Sequence, residues 1–417
     1  MNAGVWAGYK QTDVGVIPED WGVAPMGELA SIERGKFSAR PRNDPRLYGG
    51  NIPFIQTGDV ARSNGSITTF TQSLNSEGLK VSRLFPIETL FFTIAANIGD
   101  VGIAQFEAAC PDSLVAIAPY SQTDKFWLLY ELSSRKTDFE NLASPGAQLN
   151  INLEKLRPYL LPAPPLPEQR AIATALSDVD ALLSGLDSLI VKKQNLKQAA
   201  MQQLLTGQTR LPGFSGEWEV KTMKSLGQTY GGLTGKTKED FGHGSSKYIP
   251  FMNVMKDTVI DPDWLETVDV APSEAQNLAK KGDLFFNGSS ETPEEVGFCS
   301  VLLVEIPGLY LNSFSFGFRF NSEAKVNGLY FAYWFRCADG RTVMSVLAQG
   351  ATRYNIAKSA FMRLSIPQPT QEEQTAIATV LSDMDTELAA LQARRDKTRA
   401  LKQGMMQELL TGRIRLV

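Results

Sequence analysis

The sequence predicts an α+β protein in which two globular heads are joined by two long helices that repeat one another. Three observations predict it. A tandem repeat recurs at an offset of 205 residues. Inside the repeated segment, apolar residues fall at alternating spacings of four and three. Outside it lie short apolar, strand-like runs punctuated by Gly, Asn, Pro and Ser.

The repeat comes first because it sets the architecture. Residues 168–211 align with 373–416 without a gap, and 24 of the 44 positions are identical. Weaker correspondences lie outside this core: Trp21 with Trp218, Ile52-Pro53-Phe54 with Ile249-Pro250-Phe251, and Leu90-Phe91-Phe92 with Leu284-Phe285-Phe286. Gly146-Ala147 with Asn150-Ile151 matches Gly350-Ala351 with Asn355-Ile356, and Pro162 and Pro164 match Pro367 and Pro369. The chain therefore divides into a first head (1–164), a helical spacer (165–210), a second head (211–368) and a second spacer (369–417).

In the first spacer Ile172, Leu176, Val179, Leu183, Leu186 and Ile190 form the apolar stripe of a coiled coil; Ile377, Leu381, Met384, Leu388 and Leu391 repeat it. Pro167 suits a first helical turn, Thr370 to Glu373 forms a capping box, and Gly207 and Gly412 sit where helices stop. Residues 167–205 would make a rod of roughly 58 Å. A coiled-coil seam requires only its apolar positions, yet identity extends beyond them. Thr174/Thr379, Ser177/Ser382, Asp178/Asp383, Asp180/Asp385, Lys197/Lys402, Gln198/Gln403 and Gln202/Gln407 are all retained. A recent duplication would have kept the heads equally alike, and they have diverged. The off-seam residues are therefore read as a docking surface for two copies of one partner.

Each head reads as an α+β unit of about 150 residues. Strand-like runs are 51–60, 89–104 and 113–119 in the first and 248–255, 283–290 and 314–320 in the second. Each head closes with an aromatic helix candidate, 125–134 and 328–338, whose Phe126, Trp127, Tyr333 and Trp334 are read as core. Candidates for nucleic-acid contact in the first head are Arg34, Lys36, Arg40 and Arg42, with Gln56, Gln148 and Asn150. In the second they are Lys236, Lys238, Asn253, Thr352, Arg353, Tyr354 and Asn355. Arg, Lys, Asn and Gln are the side chains that pair with purine edges and phosphates. The loops after Gly146 and Gly350, each leading toward a helix start, are the preferred contact points because a helix N-terminus offers free N–H groups.

The composition excludes other classes. Net charge is −4, so the protein does not coat nucleic acid by charge alone. No apolar stretch approaches the ~20 residues that span a bilayer, and Met1 to Lys10 lacks a signal-peptide pattern, so no membrane role is expected. Cys110, Cys299 and Cys337 are widely separated, with neither metal spacing nor a disulfide framework, which points to a reducing cytoplasm. There is no G-x-x-x-x-G-K-[ST] phosphate loop and no Asp/Asn-Pro-Pro-aromatic methyltransferase motif, and the single histidine, His243, has no counterpart in the other head. A non-catalytic chain with no cofactor of its own is expected.

These features resemble the specificity subunit of type I restriction-modification enzymes over essentially the whole chain. The resemblance is carried by LPAPPLPEQR and IPQPTQEEQ, by LSDVD and LSDMD, by the LKQ…MQ…LLTG…RL helices, and by IPEDW and FSGEW before the heads. It implies that the heads are target recognition domains, each reading half of a split double-stranded DNA sequence. The spacers would pair as an antiparallel coiled coil with pseudo-twofold symmetry, setting the gap between half-sites. It further implies two modification (methyltransferase) subunits that carry S-adenosylmethionine, and it allows for restriction subunits that use ATP and magnesium. The alternative is a stand-alone sequence-specific DNA-binding regulator, which would bind tightly without partners; a two-headed scaffold without DNA is a further rival.

Overall fold

The computed structural model describes residues 6–143 and 150–416. It divides into two compact units: residues 1–186 with 394–417, and residues 187–393. Both cuts fall inside the long helices, Leu166–Leu205 and Gln371–Leu409, each about 60 Å long at 1.5 Å per residue. Each unit thus holds one head, the start of the helix that follows it and the end of the other helix.

The two heads share a plan. In the first, a five-stranded sheet runs Ala30–Arg34, Leu114–Pro119, Leu90–Thr93, Val101–Ala104, Ser66–Ile67. In the second, a four-stranded sheet runs Gly227–Gly231, Ser315–Phe320, Leu284–Asn287, Cys299–Val301. The matching Leu-Phe-Phe triplets lie in equivalent central strands, and all six side chains are fully buried, contributing about 1.5–3 kcal/mol apiece. Such strands are covered on both faces, which is why they read as continuous apolar runs rather than alternating ones. A second, smaller sheet carries Tyr48–Phe54 paired with Gln72–Leu74 and Ala108–Ala109; its counterpart is Phe241–Ile249 with Glu266–Val268 and Leu309–Leu311.

Two of the strand-like runs end as helices. After Phe54 and Ile249 the chain turns into Thr57–Ala61 and Phe251–Lys256; Asp59 accepts the Gln56 N–H at 2.9 Å and starts the first of these. The aromatic helices form at Lys125–Ser134 and Gly328–Arg336. Asp124 and Asn327 cap them by accepting two backbone N–H groups each. Trp127, Tyr333 and Trp334 are core. Phe126 is not: it lies in the first turn, 44% exposed under the Lys125 ammonium.

The apolar stripe is buried in two ways. Ile172, Leu176, Ile377 and Leu381, near the helix starts, pack into the cores of their units among residues of the heads. Farther along, Leu186, Ile190 and Leu388 are also buried. Gly207 and Gly412 adopt positive φ (74° and 70°) just beyond the helix ends. Thr370 caps the second helix by accepting the Glu373 N–H at 3.3 Å, but the box is not closed by Glu373, whose carboxylate is engaged elsewhere. No helix among the described residues is long and apolar enough to cross a membrane.

Candidate nucleic-acid interface

Each head is fastened to its helices by the same set of contacts. In the first unit the Glu168 carboxylate, fully buried, accepts the Trp21 indole N–H at 2.8 Å and two Arg415 donors at 2.6 and 2.8 Å. In the second, buried Glu373 accepts from Trp218 at 3.2 Å and from Arg210 at 2.6 Å. Gln169 accepts the Asp124 N–H and donates to Pro164 O, both at 2.8 Å; Gln374 does the same with Asn327 and Pro369.

A second pair of fastenings corrects the reading of the off-seam identities. Asp180 accepts from the Tyr130 hydroxyl and the Lys402 ammonium, both at 2.7 Å. Asp385 accepts from Tyr333 at 2.7 Å and from Lys197. In each unit the end of one helix lies beside the start of the other, running antiparallel, so a residue retained in both repeats meets its own partner twice. Asp180, Lys197, Asp385 and Lys402 are therefore spent within the chain, and their retention needs no outside partner. Gln202 is half-buried near Asp339, at 3.4 Å. Thr174, Asp178, Gln403 and Gln407 remain exposed in the first unit, and Thr379, Asp383 and Gln198 in the second.

In the first head, Arg34, Arg42 and the Lys36 backbone meet at one turn, and in the second Arg353 lies beside the equivalent turn. This turn connects the smaller sheet to the larger one: Pro111 to Ser113 in the first head and Asn312 to Phe314 in the second. Arg34 Nε donates to Asp112 O at 2.8 Å, Arg42 Nη2 reaches both Asp112 carboxylate oxygens at 2.8 Å, and the Lys36 N–H donates to Cys110 O at 3.0 Å. Beside the turn is a cleft of about 630 Å³ walled by Arg42, Tyr48, Gln56, Pro111 and Ser113. The Gln56 Nε2 is buried without a hydrogen-bond partner among the described residues. Arg40 is exposed, and its guanidinium folds back onto Ala39 O at 2.7 Å. The turn packs this closely because a glycine faces it in each head: a Cβ on Gly35 would lie 2.2 Å from Pro111 O, and one on Gly232 would lie 1.9 Å from Asn312 O.

The matching Asn-Ile segments also land alike. Asn150 bridges to Ala95, and Asn355 pairs with Ser289, so both lie beside the loop that follows the central strand. Thr352, Arg353 and Asn355 are exposed there, and Tyr354 is half-buried. Gln148 and the loop at Gly146 lie outside the described residues. Lys238 is exposed at the start of a 3-10 turn.

Two candidates are corrected. Lys236 has a side chain only 7% exposed and pairs with Glu274 at 2.6 Å; that ammonium, with hydrogen bonds from Ala271 and Gln276, holds the Glu274 carboxyl down at about 2. Asn253 is buried, donating to Asp261 O and Trp264 O and accepting the Asp261 N–H, so its amide is wholly used in holding a loop. The residue type suggested readers of DNA, but only the fold reveals that their donors are occupied. The fastening residues were missed as such, although Glu168, Gln169 and Trp21 stood among the repeat correspondences and carried the signal.

The family model described as "Type I restriction modification DNA specificity domain" matches residues 18–192 and 215–398, and the chain belongs to that family. It is a DNA sequence-recognition subunit of the type I restriction-modification kind, with two target recognition domains and two long helices that run antiparallel within each unit. Similar proteins include the putative type I restriction enzyme MjaX specificity subunit of Methanocaldococcus jannaschii, 24% identical over 98% of this chain and 97% of the relative. The MjaVIII specificity subunit of the same organism is 23% identical over 96% and 94%. Among solved structures, the S subunit of the type I system from M. genitalium superposes with a TM-score of 0.57 at 16% identity, covering 96% of this chain and 97% of that one. A chain from a structural study of assembly and conformational transition in a type I system gives 0.58 at 15% identity, covering 95% and 99%. These likenesses show the fold. The relatives are named specificity subunits, which favours a restriction-modification subunit over a stand-alone DNA-binding regulator.

Proposed function

We propose that each head reads one half of a bipartite double-stranded DNA target and that the helices dock two modification subunits. The observation that supports this reading is that both heads bring an exposed predicted arginine to one structurally equivalent turn: Arg34 and Arg42 at Asp112 in the first head, and Arg353 beside Phe314 in the second. The division into heads 1–164 and 211–368 with spacers 165–210 and 369–417 is the functional one on this reading. The exposed repeated positions Thr174, Asp178, Gln403 and Gln407, with Thr379, Asp383 and Gln198, form the docking surface. The chain carries no cofactor; the modification subunits supply S-adenosylmethionine, and restriction subunits, where present, use ATP and magnesium. The assembly works in the cytoplasm, on the genome. The modest charge of this chain fits partners that contribute part of the phosphate neutralisation.

Methylation mapping of the host genome tests the reading. Loss of a split adenine-methylation motif on deleting this gene, restored by the gene and altered in one half only by exchanging one head, is the expected result. An unchanged methylation pattern after deletion refutes it.

A further inference from the structure

The second head presents one aromatic side chain in an unusual way. Phe314 occupies the turn that precedes the strand Ser315–Phe320, and it is 57% exposed. A lone exposed apolar residue is ordinary, but this one is held out by a rigid base. Asn312, itself buried, accepts the Phe314 N–H at 2.9 Å and donates through Nδ2 to Ile249 O at 3.1 Å. The Gly288 N–H donates to Phe314 O at 2.9 Å, and Gly232 closes beneath Asn312. The Arg353 guanidinium lies 5.8 Å from the ring centroid, within cation–π reach. An aromatic face backed by an exposed guanidinium is the composition with which proteins stack on bases.

We propose that Phe314 is an apolar wedge that stacks against a base step of the second half-site, with Arg353 behind it. The proposal rests on the reading that this head binds DNA, and names a residue that the sequence had assigned only to a strand. The contact is assigned to the ring and the single guanidinium behind it, not to a basic phosphate clamp. Glu291, Glu294 and Glu295 follow the strand Ser289–Ser290 that pairs with Tyr354–Ile356, so this edge of the head is not a basic surface. A side chain entering between base pairs unstacks them partially and gains the ring's contact in return. The first head has Asp112 and Ser113 at the equivalent turn, with the carboxylate bound by Arg42, so the two heads would engage their half-sites by different chemistry.

The test uses the full-length chain assembled with its modification subunits and a duplex pool randomised at every base pair. The enriched duplex is then titrated by fluorescence anisotropy with wild type, Phe314→Ala and Phe314→Trp over a range of salt. Phe314→Ala is expected to weaken binding by about 5- to 150-fold, the range for loss of one stacked base. The salt slope should be unchanged, the preference at the first half-site kept, and Phe314→Trp should restore most of the affinity. Equal affinity for Phe314→Ala overturns the proposal. So does a shallower salt slope, which would mean a lost phosphate contact, or loss of the modification subunits on sizing with DNA affinity intact, which would make this a protein contact. If the wild-type assembly enriches no sequence at all, the DNA-reading function itself fails, and the wedge with it. Because Phe314 is largely exposed, matching thermal unfolding of the variants separates binding from folding.

Discussion

Arg415→Ala is the sharpest test of how the first head is fastened. Arg415 bridges Glu168, at 2.6 and 2.8 Å, and Asp20, at 2.7 and 2.9 Å. The Glu168 side chain is fully buried and Asp20 is about half exposed. Removing the guanidinium costs little at Asp20, which water can solvate. It strands the Glu168 carboxylate with one neutral donor, the Trp21 indole. Breaking a buried pair from one side costs about 3–5 kcal/mol, so the unit built on residues 1–186 should lose about that much at neutral pH. Urea unfolding followed by tryptophan fluorescence, with resolved transitions for the two units, measures it. Arg413→Ala, which breaks a pair that is exposed on both sides, serves as the control and should cost under about 1 kcal/mol. Adding Glu168→Gln should return part of the loss, because a neutral amide tolerates burial better than a lone carboxylate. A cost for Arg415→Ala below about 1 kcal/mol, or strict additivity of the two changes, would refute the reasoning.

Reversing Asp178 and Asp383 to Lys together should abolish co-purification of modification subunits while shifting the thermal midpoint little, since both residues are exposed; unchanged assembly on a sizing column would remove these residues from the docking surface. Gly232→Ala places a Cβ 1.9 Å from Asn312 O, a backbone atom that cannot swing aside; it should cost about 1–3 kcal/mol in denaturant titration and weaken DNA binding by displacing Phe314. Burial holds the Glu131 carboxyl above its ordinary value, outweighing Arg135 beside it. The folded chain then keeps that proton over a range in which the unfolded chain has released it. Stability should therefore fall as pH rises from about 4.5 toward the raised value and level off above it, by at most about 1.4 kcal/mol per pH unit. Glu131→Gln should flatten that part of the stability profile; an unaltered slope would show that this carboxyl does not set it.

The architecture was legible because its signals are local and periodic. The stripe from Ile172 to Ile190 needs only spacing to be seen, and the repeat needs only comparison of the chain with itself. Residue roles were less legible, because they depend on who sits opposite. Asp180 and Lys402 stand far apart in sequence, and nothing in either repeat alone shows that they meet; their identity in both copies suggested an external partner until the antiparallel pairing supplied an internal one. Asn253 and Lys236 have the right chemistry to contact DNA, but their donors are taken by a loop and by Glu274. Phe314 read as the first residue of an apolar strand, and only the turn at Asn312 shows it placed outside the core. Arg34, Lys36 and Arg42 were found by clustering in sequence, and the fold explains the cluster: all three surround the Pro111 to Ser113 turn.

The fastening contacts have a consequence for how such a protein can change. On the helical side they consist of Glu168, Gln169, Asp180, Lys402 and Arg415, with Glu373, Gln374, Asp385, Lys197 and Arg210 in the other unit. Each head supplies in return an indole, a tyrosine hydroxyl and the backbone N–H of a helix cap. A foreign head that offers those three donors at the same places would be accepted whatever else it contained. Target preference is thereby uncoupled from assembly: the protein behaves as a socket with a fixed pin layout, into which new readers can be plugged one at a time while the rest of the machine stays as it was.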